Sequence, residues 1–374
     1  MPKKRIYLSP PDIGIKEKEY VLEAFDTNWI APIGPHINAF EIELSNYIGT
    51  NNCAVLSSGT AALHLALILL GIEQGDEVIC QSFTFCGSVN PIVYQKATPI
   101  LIDSEMETWN MDPDLLEEAI IERMNNGKKP KAIIYVHLYG MPAKIDEILE
   151  IAEKYEIHVI EDAAEALGSE YNRKKVGQFG DMSILSFNGN KIITTSGGGA
   201  LLSSNDEYIR KAKFLATQAR DEAVHYQHSE IGYNYRLSNV SAAIGRGQLN
   251  NIEDKVKRRR EIFKIYKGEL NNYEEISFHE EPNNTVSNRW LTTVLLNSNS
   301  TKKEKIIHAL EKENIESRPL WKPMHLQPVY KNAPVYENGI SESLFNKGLC
   351  LPSGSGMSDE DLERVIEVVK RCFS

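Results

Sequence analysis

The chain has 374 residues, 42% of them hydrophobic and 25% charged, with a formal net charge of -11. This length can hold a large and a smaller domain with ample core, and the composition is that of an ordinary globular protein. The acidic balance argues against non-specific binding to nucleic acid or to an acidic membrane surface, and the longest apolar stretch, 61–72, is far short of the roughly 20 residues that span a bilayer. Cys53, Cys80, Cys86, Cys350 and Cys372 form no CxxC pair, so a reduced, cytoplasmic protein is expected, with no metal site. The basic start, Met1 to Arg5, is not followed by an apolar segment of signal-peptide length.

Residues 1–36 read as an N-terminal arm. Tyr7-Leu8-Ser9-Pro10-Pro11 cannot be helix interior, 16–25 has helical spacing, and 28–35 is a loop with an unusual apolar load that includes Trp29. A helix is predicted over 36–48. Strands follow at 53–56, 77–81, 99–102, 132–137, 158–161, 183–187 and 199–203, with helices at 60–70, 88–94, 113–125 and 144–154. Most of these strands are continuous apolar runs, as expected when both faces are covered. The pattern predicts an α/β fold: a mostly parallel seven-stranded sheet between helices, within a large domain over 37–250. Helices are predicted at 211–220, 238–249 and 252–270, around a polar region at 223–235 that carries His and Tyr. A strand over 289–296, a helix over 302–313, a strand near 316–320 and a helix over 359–372 predict a small α+β domain over 251–374.

The first chemical signal is SILSFNGNKIITTSGGGALL, residues 183–202. Two apolar strands flank the turn Asn188-Gly189-Asn190, and Lys191 follows directly. An amine there lies beside low-dielectric protein, which favours its neutral, nucleophilic form. A lone lysine in a turn is usually only solvated, but two other stretches change that reading. HVIEDAAEALGS, residues 158–169, is a strand ending in Glu161-Asp162 that runs into an alanine-rich helix start. Open α/β sheets hold ligands at the carboxyl ends of such strands. LSSGTAALHLAL, residues 56–67, runs small hydroxyl residues and Gly59 into an apolar helix, whose free N–H groups suit a phosphate. A phosphate anchor, a buried carboxylate and a strand-end lysine are together what pyridoxal 5'-phosphate needs. The lysine forms the Schiff base and the aspartate pairs with the pyridinium nitrogen.

These stretches stand in order with YLSPPDIG, NWIAPIGP, QSFTFCGSVNPI, YVHLYGMPAKIDEI, GYNYRLSNVSAAIG, SRPLWKPMH and CLPSGSGMS. Over nearly its whole length the chain resembles the DegT/DnrJ/EryC1/StrS sugar aminotransferases, which are fold type I pyridoxal phosphate enzymes. It looks most like the UDP-4-keto-6-deoxy-N-acetylglucosamine 4-aminotransferases of bacillosamine-type glycan pathways. The resemblance implies Lys191 as the catalytic residue and Ser58, Gly59, Thr60 and Ser186 at the phosphate. It implies Phe85 stacked on the ring away from Asp162, and position 165 beside the ring's 3-hydroxyl. Many members have glutamine at that position, where this chain has Glu165. The resemblance also implies a homodimer with shared sites: Asn234 and Arg236 reach a neighbour's cofactor, and the Trp29 loop reaches toward the partner. Arg318 could pair with a carboxylate or a diphosphate. Trp321 adds an apolar wall, and His325 resembles a sugar-site histidine. Plain alternatives stand beside these roles: Asp162 as a helix N-cap, Glu165 as its capping-box partner, Thr60 as an N-cap, Phe85 as core and His325 as a surface residue.

The implied reaction moves an amino group from L-glutamate to C4 of a nucleotide-linked 4-keto-6-deoxy sugar. A 3-keto-sugar or GDP-sugar aminotransferase is an alternative, and Lys191 speaks against a dehydratase with histidine at that position. A non-catalytic binding or regulatory protein is the alternative from another class, and intact Lys191 and Asp162 argue against it. No GxGxxG follows a strand and no GxxxxGK[ST] occurs, which disfavours a nicotinamide enzyme and a kinase.

Overall fold

The seven apolar runs between residues 52 and 203 pair into one sheet in the computed structural model, which describes residues 3–297 and 300–373. In spatial order the strands are Asn52–Leu56, Gly199–Ser203, Met182–Ser186, His158–Asp162, Ala132–Val136, Glu77–Gln81, Thr98–Ile102 and Val335–Tyr336. Gly199–Ser203 is antiparallel to both neighbours, and every other pair is parallel. The eighth strand, Val335–Tyr336, adds to the seven expected. A two-residue strand carries no periodicity of its own, so pattern reading passes over it.

Alternate residues of one strand serve different cores. Ile133 and Tyr135 join Phe40 and Ile79 on one face, while Ile134 joins Leu63 and Cys80 on the other. Cover on both faces explains why these strands do not alternate in polarity. A second, antiparallel sheet runs Ile276–Phe278, Thr292–Leu296, Gly348–Leu351 and Arg318–Pro319. Ile262, Val294, Leu310, Leu349 and Val365 pack together around it. A smaller cluster that includes Tyr139, Trp290, Leu320 and Cys350 completes the cores.

Two expected helices differ. The helix expected over 211–220 is Asp206–Ala216, begun by the Asn205 side chain, which accepts from the Glu207 amide. It stops early because Gln218 and Ala219 take positive φ of 60° and 50°. After Asp162 the chain makes turns rather than a helix, with the Ala166 amide bonded to Ala163 and the Ser169 amide to Ala166. All five cysteines are free, and among the described residues no helix is long and apolar enough to cross a membrane.

Candidate active site

A cavity of about 360 Å³ opens at the carboxyl ends of the parallel strands. Val136, Asp162 and Ser186, each the last residue of its strand, line it together with Ser58, Gly59 and Thr60 at the start of helix Gly59–Leu69. That helix is capped by Ser58, whose Oγ accepts from the Ala61 amide at 3.0 Å, so Thr60 is not the cap. Gly59 is tightly packed: a Cβ there would lie 3.1 Å from Ser186 Cβ and 3.2 Å from the Leu185 carbonyl. Gly199, the last of the glycine run, is more crowded still: a Cβ there would come 2.3 Å from the Gly59 amide nitrogen. The sequence thus brings bare backbone and small hydroxyls to one helix N-terminus, an anion-binding arrangement.

Asp162 is buried, with Oδ2 accepting from Ser88 Oγ at 2.7 Å and Oδ1 from the Ala164 amide at 3.1 Å. Thr84 Oγ1 lies 2.8 Å from Ser88 Oγ and extends the chain of hydroxyls. Burial is the largest influence on Asp162 and holds its carboxyl above the usual range; the Ser88 and Ala164 bonds and the nearby Lys191 oppose it. Since no helix follows, Asp162 is not a helix cap and Glu165 is not a capping-box residue. Glu165 accepts instead from the Tyr139 amide at 2.7 Å and from Lys191 Nζ at 3.3 Å. Burial raises its carboxyl too, against the opposing charge of Lys191.

Lys191 reaches the same cavity from the turn after Met182–Ser186, its amide bonded to the Asn188 carbonyl at 3.0 Å. Its amine lies between Glu165 and the face of Trp290, 4.1 Å from the ring centroid. The amine thus meets a carboxylate and an aromatic face, and not only the apolar surroundings that the sequence pattern suggested. Tyr139, at the unusual φ of 54°, stacks between Trp290 and Trp321, and its hydroxyl accepts from the Trp321 amide at 2.8 Å. The adjoining Gly140, at φ 88°, leaves no room for a side chain: a Cβ would fall 1.9 Å from Asn288 Oδ1.

Nine of the expected site residues line this one cavity: Ser58, Gly59, Thr60, Phe85, Asp162, Glu165, Ser186, Lys191 and Trp321. Phe85 is 49% exposed at its mouth, with its ring 5.4 Å from that of Trp321, and is not a core residue. Arg318 lines a second cavity of about 920 Å³, which shares Asn190 and Trp321 with the first. Its guanidinium bonds Glu316 at 2.9 Å.

The other four line neither cavity of their own chain. Trp29 is 43% exposed. Asn234 is exposed, its backbone bridged to Thr217. The Arg236 guanidinium is held at 2.6 Å by Glu41 and at 3.0 Å by the Val55 carbonyl of its own chain. His325 has its Nδ1 2.7 Å from Ser82 Oγ and its Nε2 3.6 Å from Glu337. Sequence reasoning missed Ser88, Tyr139 and Trp290. Ser88 and Tyr139 lie inside the quoted stretches QSFTFCGSVNPI and YVHLYGMPAKIDEI, but Trp290 lies outside all of them.

Known proteins give the same picture. EpsN of Bacillus subtilis (strain 168), named as a candidate pyridoxal phosphate-dependent aminotransferase, is 52% identical over 374 residues, covering 99% of this chain and 96% of its own. The GDP-perosamine synthase of Escherichia coli O157:H7 is 40% identical over 373 residues, covering 99% of each. The pyridoxal phosphate form of a candidate sugar aminotransferase, Spr1654 of Streptococcus pneumoniae, superposes with a TM-score of 0.91 at 28% identity, over 99% of this chain and 100% of its own. A family profile matches residues 11–370, and the chain belongs to the DegT/DnrJ/EryC1/StrS aminotransferase family.

Proposed function

We propose that this pyridoxal phosphate-dependent nucleotide-sugar aminotransferase takes the amino group of L-glutamate and places it on C4 of UDP-4-keto-6-deoxy-N-acetylglucosamine. The observation that carries the reaction is one cavity in which Lys191, Asp162 and the N-terminus of helix Gly59–Leu69 face one another. When bound, pyridoxal 5'-phosphate supplies a carbonyl that accepts an amine and a pyridinium ring that takes up an electron pair.

The chain's own groups fit that cofactor. Ser58, Gly59, Thr60 and Ser186 would hold its phosphate, and Asp162, ionised, would keep its ring nitrogen protonated. Ser88 and the Ala164 amide supply the hydrogen bonds that a buried carboxylate needs. Phe85 stands free at the mouth to cover a ring. Lys191 Nζ takes a proton from the donor's Cα and later returns one at sugar C4, within reach of the same cavity. Trp321 and Phe85 exclude water on the mouth side. Arg318 and the apolar second cavity are offered to substrate, and an apolar wall suits a sugar with C6 and acetamido methyl groups. The arm over 1–36, the large domain over 37–250 and the small domain over 251–374 remain our division of the chain. A homodimer with shared sites is supported by Asn234 and Trp29, which are exposed and line neither cavity of their own chain.

A second reading has its own support. The relative named GDP-perosamine synthase, at 40% identity, favours a GDP-linked sugar. The relative at 52% is named only for cofactor and reaction. The test has two arms. A visible absorption band that changes on adding glutamate is expected for the aminotransferase, and an unchanged spectrum would reject the reading. Then kcat/KM is compared for UDP-4-keto-6-deoxy-N-acetylglucosamine and GDP-4-keto-6-deoxymannose. Equal or better turnover of the GDP sugar would replace the UDP assignment with the second reading.

A further inference from the structure

Trp290 has none of the roles assigned above, yet it touches the reactive lysine's segment twice. Its ring is 1% exposed, and Lys191 Nζ stands 4.1 Å from the ring centroid. Its Nε1–H donates at 2.7 Å to the carbonyl of Asn190, the residue just before the lysine. One side chain therefore meets the backbone leading into Lys191 and the amine at its tip.

Trp290 is itself fixed from several sides. Its amide donates to Asn288 Oδ1 at 2.8 Å, and Tyr139 lies against its ring at 6.2 Å with 19° between the planes. The buried Arg259 donates to its carbonyl. Asn288 also donates from Nδ2 to the Glu165 carbonyl at 3.0 Å. The aromatic face and the carboxylate that meet the amine are thus tied together through one asparagine. The Asn190 carbonyl is held a second time, by Ser9 Oγ at 2.8 Å.

We propose that Trp290 is a positioning residue for Lys191: its N–H sets the lysine's backbone, and its ring face holds the free amine, when it is a cation, near Glu165 at the wall of the cavity. This rests on Lys191 being the reactive amine. An aromatic face attracts a cation through its quadrupole and has little hold on a neutral amine. Trp290 therefore retains the protonated amine and lets it go when the proton leaves. Asp162 and Glu165 are the carboxylates whose charge is coupled to the same amine.

The test changes the face and little else. Fluorinated tryptophans placed only at position 290 keep the N–H and closely match the shape while draining electron density from the ring. Full-length protein stripped of cofactor is treated with trace acetic anhydride at pH 7, which acetylates only neutral amines, and labelling is read by mass spectrometry against the other lysines. A weaker face leaves more of the Lys191 amine neutral. Its labelling should rise with fluorine number, by about three- to tenfold for tetrafluorotryptophan. A purely structural tryptophan predicts no trend, and general loosening would move the reference lysines as well. Labelling of Lys191 that is flat, or that slows, along the series overturns the proposal. Separately, Lys191→Ala should abolish the visible band formed on adding pyridoxal 5'-phosphate. If the full wild-type band persists, the underlying assignment of Lys191 falls. If the band is lost while the fluorine series is flat, only the role of Trp290 falls.

Discussion

The sheet end of the cavity and its aromatic wall hold their groups by different means. Asp162 and Ser186 end strands and Gly59 begins a helix, so main-chain geometry sets where their backbones stand. Tyr139, Trp290 and Trp321 are held by one another, and the Tyr139–Trp321 bond joins positions 182 apart in sequence. A change at the sheet end should remove chemistry and leave the backbone in place. A change in the wall should pass to its neighbours.

The largest expected effect is that of Lys191→Ala. Glutamate-dependent turnover should fall by at least about 10⁴-fold, since both nucleophile and proton carrier are lost. Circular dichroism should stay native. Measurable steady-state turnover would break the reading of the sheet end.

Asp162→Asn comes next, with a loss of roughly 10² to 10³ in kcat and an opposite effect on stability. Burial raises the Asp162 and Glu165 carboxyls in the folded chain. Between the ordinary carboxylate range and the raised one, the folded chain holds more protons than the unfolded one. The contribution of these groups to stability is therefore full at low pH and is lost as pH climbs through the raised values. Cofactor-free Asp162→Asn should be more stable than wild type at pH 7, and its Tm should depend less on pH above the ordinary carboxylate range. A lower Tm at pH 7 would contradict this account of the buried carboxylate.

The wall is tested by Tyr139→Phe, which removes the acceptor of the Trp321 amide. A lost hydrogen bond is worth about 1 kcal/mol, so KM for the sugar should rise roughly fivefold with kcat nearly unchanged. A fall in kcat alone would move Tyr139 from wall to chemistry.

The smallest effect on rate is expected for Arg236→Ala. Glu41 keeps Lys213 and the Val55 amide as partners, so stability should drop by about 2 kcal/mol while kcat changes less than about threefold, within the roughly 0.7 kcal/mol that a rate ratio of that size represents. Chemical denaturation and kinetics on one preparation decide this. A large loss of kcat with unchanged stability would return Arg236 to a partner's cofactor.

The sheet end was legible in the sequence because each of its groups is announced locally. An apolar run ends in Glu161-Asp162, hydroxyls and Gly59 precede an apolar helix, and a turn precedes Lys191. The turns after Asp162 were not legible, because an alanine-rich run satisfies helix propensity and only its tertiary setting bends it. Trp290 was not legible either. Its position depends on Asn288, Arg259 and Tyr139, which meet only after both sheets have formed. For Arg236 the motif was visible, but its bond to Glu41, 195 positions away in sequence, had no local signal.

The eighth strand has a consequence for how the chain is made. Val335 and Tyr336 pair with Leu101 and Ile102 and so cover the outer edge of the large sheet. Asp103, just beyond, accepts from the amides of Gly339 and Ser341 at the start of helix Ile340–Lys347. During synthesis the apolar run Thr98–Ile102 leaves the ribosome long before its outer neighbour exists. For that interval it presents unpaired N–H and C=O groups in a β-prone segment, the kind of edge on which other chains add. The nascent protein is therefore most exposed to aggregation while this edge waits.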